Sequence, residues 1–257
     1  MGDFRERALG EDYELVYSDM VISFAIFRCS AYYKNVLLKC CGIKVIMDLS
    51  FFTDIQRECF RETAIELMNH YCILKHDSRD NSDIIYRFAE IEFYLYDIKE
   101  QDKDISTYSR DCKRVEWFFH GSGVDIAFET VRDGDELMRF GGVLIRGIEI
   151  YKQNQQEQWE QIGVVGGPKL SMYEIFNHCS RMPDVIAIPD TFKKDRSIGD
   201  ATKRIGIKDD LHQRFVFDDV DWDMPTERIV ETKEKKGTEE KYHVILKKTT
   251  RKYTPKL

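Results

Sequence analysis

IIYRFAEIEFYLYD, residues 84–97, has the β-branched and aromatic content of a strand. Its alternation predicts Phe88, Glu90, Glu92 and Tyr94 on one face and Ala89, Ile91, Phe93 and Leu95 on the other. Glu92 is the unusual residue, because a carboxylate within an aromatic strand is costly to desolvate without a partner or a task. A raised pKa or a charged neighbour would suit it to general acid–base work. The same spacing also fits two glutamates lining the wet face of a half-exposed strand.

Working outward, the chain upstream reads as a helix from Asp54, with Ile55, Cys59, Ala64, Leu67, Met68 and Tyr71 near three-or-four spacing. HDSRDNSD (76–83) is a turn. Downstream, a polar loop (98–113) precedes a strand-like run, VEWFFHGSGVDIAFETV (115–131). DGDELMRFGG (133–142) reads as a turn region and VLIRGIEIY (143–151) as a third strand. Ser171 and Glu174 have capping-box spacing for a later helix. The C-terminal stretch reads as a β-hairpin about Lys236-Gly237. These elements predict an α+β protein. Residues 1–46 form an N-terminal extension, 47–225 one mixed domain, and 226–257 a basic hairpin or tail.

The 257 residues are 42% hydrophobic and 12% aromatic, enough to build a core and to exclude wholesale disorder. The net charge of -7 argues against a strongly basic nucleic-acid coat, though not against a local basic groove. From Arg228 onward there are ten Lys/Arg and four Asp/Glu, a local +6 that leaves -13 for the rest. The seven cysteines have neither CxxC nor zinc-type Cys/His spacing, so no metal is expected. The opening MGDFRERALGEDYE is unlike a cleavable signal, and lysines and arginines interrupt the apolar stretch 20–51. A reduced, cytoplasmic protein with no membrane partner is expected.

Several further residues carry possible chemistry. Arg146, after Val-Leu-Ile, is either a strand residue facing water or a buried anchor for a carboxylate or phosphate. Trp117, Phe118, Phe119 and His120 form either a buried strand or a stacking platform for a base. HGSG (120–123) and GGP (166–168) match neither GxGxxG nor a Walker loop. His120, Ser122 and Asp125 lack the GxSxG elbow of a hydrolytic triad.

Taken in order, these pieces resemble the alkyladenine (3-methyladenine) DNA glycosylase family. The family's R-I-V-E-T-E-A-Y strand is similar to Arg87-Phe88-Ala89-Glu90-Ile91-Glu92-Phe93-Tyr94, and its D-x-x-S-H loop to Asp104-Ile105-Ser106-Thr107-Tyr108. Its aromatic strand ending Y-G resembles Trp117-Phe118-Phe119-His120-Gly121, and V-L-L-R-A-L-E resembles Val143-Leu144-Ile145-Arg146-Gly147-Ile148-Glu149. G-P-G-K-L is similar to Gly166-Gly167-Pro168-Lys169-Leu170. P-R-I-G-I with a following R-F is similar to Lys203-Arg204-Ile205-Gly206-Ile207 and Arg214-Phe215. The tail's Arg228-Ile229-Val230-Glu231-Thr232 copies the first motif's opening letters but follows all the others and lacks the second Glu and the Tyr.

The resemblance implies a single domain with a curved antiparallel sheet flanked by helices. It implies a monomeric, cofactor-free hydrolase of base excision repair that flips a modified purine out of double-stranded DNA and cleaves its glycosidic bond with water. Carried over by position, Glu92 would activate the water and Arg146 would orient it or contact the phosphate. Tyr94, Tyr108 and Trp117 would bind the base, and His120, Lys169 and Arg204 would contact DNA. An electron-rich pocket would favour a cationic alkylated purine. Tyr108 stands where the family has histidine, and His120 where it inserts a tyrosine into the duplex. The other classes to weigh are a non-catalytic nucleic-acid-binding protein on the same scaffold, and an N-glycosidase acting on RNA or a nucleoside.

Overall fold

The computed structural model describes residues 49–53, 55–100, 103–189, 192, 195–207, 211–224, 226–236 and 239–249. The N-terminal extension and the proposed cap Asp54 lie outside these residues. Helix α1 (Phe60–His70) runs straight into strand β1 (Tyr71–Asp77), which turns back into β2 (Ser82–Asp97). A hairpin of β3 (Trp117–His120) and β4 (Gly123–Ala127) follows, then β5 (Val131–Asp133), the long β6 (Glu136–Gln153) and β7 (Trp159–Gly166). After α2 (Pro168–Phe176) come β8 (Asp184–Ala187), β9 (Thr202–Lys203) and β10 (His212–Val216). The tail forms its own two-stranded sheet, β11 (Thr226–Lys236) against β12 (Glu239–Thr249).

The first ten strands make one open antiparallel sheet with the path β3-β4-β6-β2-β1-β8. With few helices beside it, the fold is α+β and dominated by this sheet. Its spine is the β2–β6 pair, and both strands change outer partners near their middles. β1 lies against β2 up to Arg87, and β10 replaces it from Glu90 to Glu92. On the far edge of β6, β4 pairs with 142–144 and β7 with 147–153.

Bulges on both strands coincide with this exchange. Phe88 faces Ile148 and Glu90 faces Gly147, leaving Ala89 unopposed; the next pair is Ile91 with Ile145, leaving Arg146 unopposed. A bulge bends its strand and shifts the alternation by one. This corrects the expected alternation at Phe88. Ile84, Tyr86 and Phe88 belong to the same apolar core as Ile91, Phe93 and Leu95. Glu90, Glu92 and Tyr94 are left on the other face.

The core face packs on α1, whose Phe60, Ala64, Leu67 and Met68 recur at helical spacing and are all buried. Phe60 stacks on Phe93 at 4.5 Å between ring centroids. Phe60, Leu67 and Met68 each contribute about 1.5–3 kcal/mol on burial, and the Ala64 methyl less. The helix begins later than its apolar pattern predicted, after a short 3-10 turn at Arg57–Cys59, and Tyr71 opens β1.

Two further expectations are corrected. The turn within 133–142 is confined to Gly134 and Asp135, and β6 begins at Glu136. Gly141 and Gly142 are strand residues; a Cβ on Gly141 would stand 2.1 Å from the Tyr94 carbonyl oxygen, so the close approach requires glycine there. Helix α2 starts at Pro168 behind Gly167, three residues before the proposed cap. Ser171 is buried within the helix and its hydroxyl has no hydrogen-bond partner. Ser171→Ala is therefore expected to leave stability within about 0.5 kcal/mol of wild type, where loss of a capping box would cost about 1 kcal/mol. Chemical denaturation distinguishes the two.

Candidate active site

The face opposite α1 carries the charge. Glu90, Glu92 and Tyr94 project from β2, Arg146 from the bulge of β6, and Arg214 from β10, directly across from Glu92. Glu90 Oε1 accepts from Arg146 Nε and Arg214 Nη1, each at 3.0 Å. Glu92 is 0% exposed. Its Oε1 accepts from the Tyr94 hydroxyl at 2.8 Å, and Arg146 Nη1 stands 2.8 Å from Oε2. That second contact is an ion pair without hydrogen-bond alignment, so Oε2 keeps acceptor capacity facing the guanidinium. Arg146 thus bridges both carboxylates from one bulge position.

Burial pushes the Glu92 carboxyl above the usual glutamate range, and Glu90 adds to this. The pull of Arg146, the Tyr94 hydroxyl and Arg204 opposes the rise without cancelling it. Burial, and then the neighbouring Glu92 carboxylate, also push the Tyr94 phenol up, which keeps it a hydrogen-bond donor. A carboxylate with a raised pKa, held beside a fixed guanidinium, can take a proton from water.

The segment after β2 is tied down beside this face by two buried ion pairs. Arg204 forks onto both oxygens of Asp104, at 2.5 and 3.1 Å, and its guanidinium lies 4.7 Å from the centre of the Tyr94 ring. Arg110 Nη1 donates to Asp125 Oδ2 at 2.6 Å, and the guanidinium carbon of Arg110 lies 3.9 Å from the centre of the Phe118 ring. Arg204 therefore occupies a face of Tyr94, and that ring loses much of its attraction for a cationic base.

The predicted site residues divide accordingly. Glu92, Arg146, Tyr94 and Arg204 come together. Tyr108 is 51% exposed and rests 4.9 Å from His120, ring to ring. Lys169 is exposed on the first turn of α2. The same turn is anchored to the site, because Gly167 N–H donates to the Arg146 carbonyl at 2.6 Å.

Trp117 is placed on the other side of the sheet. The two-residue turn at Gly121-Ser122 sets His120 opposite Gly123, which puts Trp117 in one row with Ile126, Val143 and Phe93. Its indole donates to the Pro183 carbonyl at 2.8 Å and its ring packs edge-on against Phe176. This corrects its assignment as a base-binding ring beside Tyr94.

His120 is on the correct face, but it is not a protruding wedge. Its side chain is 8% exposed, with Nε2 3.0 Å from Asp125 Oδ1. The Ser122 N–H donates to Nδ1, which assigns the proton to Nε2. His120→Ala is expected to cost about 1–3 kcal/mol by unpairing a buried carboxylate oxygen. A wedge in solvent would leave the melting temperature unchanged; thermal unfolding of the variant separates these roles.

No family model matches the chain, and no curated protein matches it. The site therefore stands on its own geometry. Among the described residues no cluster of three or more His, Cys, Asp or Glu could hold a metal, and no helix is long and apolar enough to cross a membrane.

Sequence reasoning missed the partners that complete the site. Arg214, Asp104 and Asp125 all lie within or beside quoted motifs, but their pairings span long stretches of chain. Trp222 lies outside every motif, yet its ring reaches Gly147 beside Arg146. The one signal for it was glycine where the resembled family has alanine.

Proposed function

We propose that this protein is a monofunctional DNA glycosylase that removes a modified purine from duplex DNA, on a curved sheet of the alkyladenine glycosylase kind. The observation that carries the proposal is Glu92. It is a fully buried carboxylate of raised pKa, held by Arg146 and Tyr94, at the position the resemblance assigns to the water-activating base. Glu92 takes a proton as water oxygen bonds to the sugar C1′. The bond from C1′ to the base nitrogen breaks, and its electron pair leaves with the base. The products are a free base and an abasic site. Arg146 orients the carboxylate. No cofactor enters the reaction.

A second reading, a nucleic-acid-binding protein without catalysis, has one observation in its favour. Surface clefts of about 340 and 500 Å³ open beside Arg61–Arg196 and Asp97–Arg139, and neither is lined by Glu92. A base-release assay on duplexes carrying 3-methyladenine, 7-methylguanine or hypoxanthine decides between the readings. The glycosylase releases a base and leaves an alkali-labile site; the binding protein retains the duplex intact.

A further inference from the structure

Arg146 occupies the unopposed position of the β6 bulge, so no residue directly across on β2 braces its side chain. Arginine is long and rich in rotamers, and a guanidinium held by one contact can swivel about it. Here it is held at two points. Nε donates to Glu90 Oε1 at 3.0 Å, and Nη1 stands 2.8 Å from Glu92 Oε2. The first contact sets the direction in which the planar group presents the second.

Glu90 is braced in turn. Its Oε1 also accepts from Arg214 Nη1 at 3.0 Å, and Arg214 Nε donates to the Lys203 carbonyl at 3.1 Å. Arg214 stands across from Glu92 in the β10–β2 register, yet it reaches diagonally to the carboxylate one row away. The four side chains alternate in charge, in the order Arg214, Glu90, Arg146, Glu92, and none is more than 7% exposed. Glu92 alone would neutralise Arg146. A second buried carboxylate needs a cation of its own, and Arg214 supplies it. Without Arg214, two carboxylates would compete for one guanidinium.

We infer that Glu90 and Arg214 are positioning residues of the site: Arg214 satisfies Glu90, and Glu90 holds Arg146 against Glu92. The inference rests on the glycosylase reading, in which Glu92 is the base. The two residues bias Glu92 in opposite directions. Glu90 repels the Glu92 charge and draws on its cation, and both effects favour the protonated carboxyl. Arg214 relieves the second effect. Of the other groups around Glu92, Tyr94 donates its hydroxyl to it, and Arg204 is forked onto Asp104. In the same row across Leu144, Asp125 on β4 is paired with Arg110 and His120, and Lys169 on α2 is exposed. None of these is altered in the variants below.

The test is the pH dependence of single-turnover base release by the full chain on a hypoxanthine duplex, with duplex affinity followed by anisotropy. Glu90→Gln keeps the shape and an acceptor for Arg146 but removes the charge, so the acid midpoint should fall by about one pH unit. Arg214→Gln should raise it by a similar amount, because Arg146 is then drawn toward Glu90. The double variant should match Glu90→Gln, since Arg214 acts through the Glu90 charge. Duplex affinity should be unchanged in all three, a split that a general loss of packing would not produce. Should Arg214→Gln misfold by stranding Glu90, the double variant strands no charge and carries the comparison. Midpoints that stay in place or both move one way, or a double variant displaced from Glu90→Gln, would overturn the inference and leave the glycosylase reading intact. A wild-type protein that releases no base, or releases it without an acid limb, would instead overturn that reading, and this inference with it.

Discussion

Glu92→Gln is expected to slow base release by about 10²–10⁴-fold, the usual contribution of a positioned general base. Lesion binding should persist, because the amide keeps the shape and removes a negative charge from beside the phosphates. The same change should raise the melting temperature at neutral pH. The folded-state pKa of Glu92 is raised, chiefly by burial. The native protein therefore binds this proton more tightly than the unfolded chain, and stability falls as pH rises from the ordinary glutamate value through the raised one. Glutamine mimics the protonated form and escapes that loss. Its advantage over wild type should shrink as pH is lowered through the same window, as measured by thermal unfolding at several pH values. A faster-melting Glu92→Gln at neutral pH would make Glu92 a net structural ion pair.

Arg204→Ala should be the most destabilising of the site variants, costing about 3–5 kcal/mol. Both side chains of the Arg204–Asp104 pair are almost fully buried, at 0% and 1% exposure. Removing the cation strands a carboxylate in the protein interior, and a buried unpaired charge costs more than the pair contributes. Burial alone would push Asp104 up, but the bonds from Arg204 and Ser106 hold it below the usual aspartate range. That stabilisation is present above the unfolded-state pKa and is lost as pH falls through the lower folded value. The wild-type protein should lose this increment in acid, and Arg204→Ala should lack it throughout. Denaturant titrations of both proteins across the acid range check the sign. Arg204 also covers Tyr94, so base release should fall with the fold.

How much of this was legible in the sequence follows from the range of each interaction. The β2 strand, its two glutamates and Tyr94 could be read because alternation is a local property. The bulges could not be, since pairing with β6 leaves Ala89 and Arg146 unopposed, and neither residue marks a bulge in a single sequence. Phe88 was misplaced for that reason. Trp117 was misplaced because a hairpin turn four residues away sets its face. Arg146 was legible as an anomaly, an arginine after three aliphatic residues, but its choice between water and a carboxylate needed the fold. The pairs Arg204–Asp104 and Arg214–Glu90 join residues separated by 100 and 124 positions, beyond any local pattern. Ser171 and Glu174 carried true capping-box spacing, overruled by Gly167 and Pro168 just upstream.

The central claim is that the buried Glu92 carboxylate activates the attacking water. Its most direct test is the pH dependence of single-turnover base release by the wild-type protein on a hypoxanthine duplex. A general base works only when deprotonated, so the rate should fall on the acid side with a midpoint above the ordinary glutamate value of about 4.3. The upward displacement is the kinetic image of the burial that raises its pKa. An acid limb at or below the ordinary value, a rate indifferent to acid, or no base release at any pH would contradict the assignment.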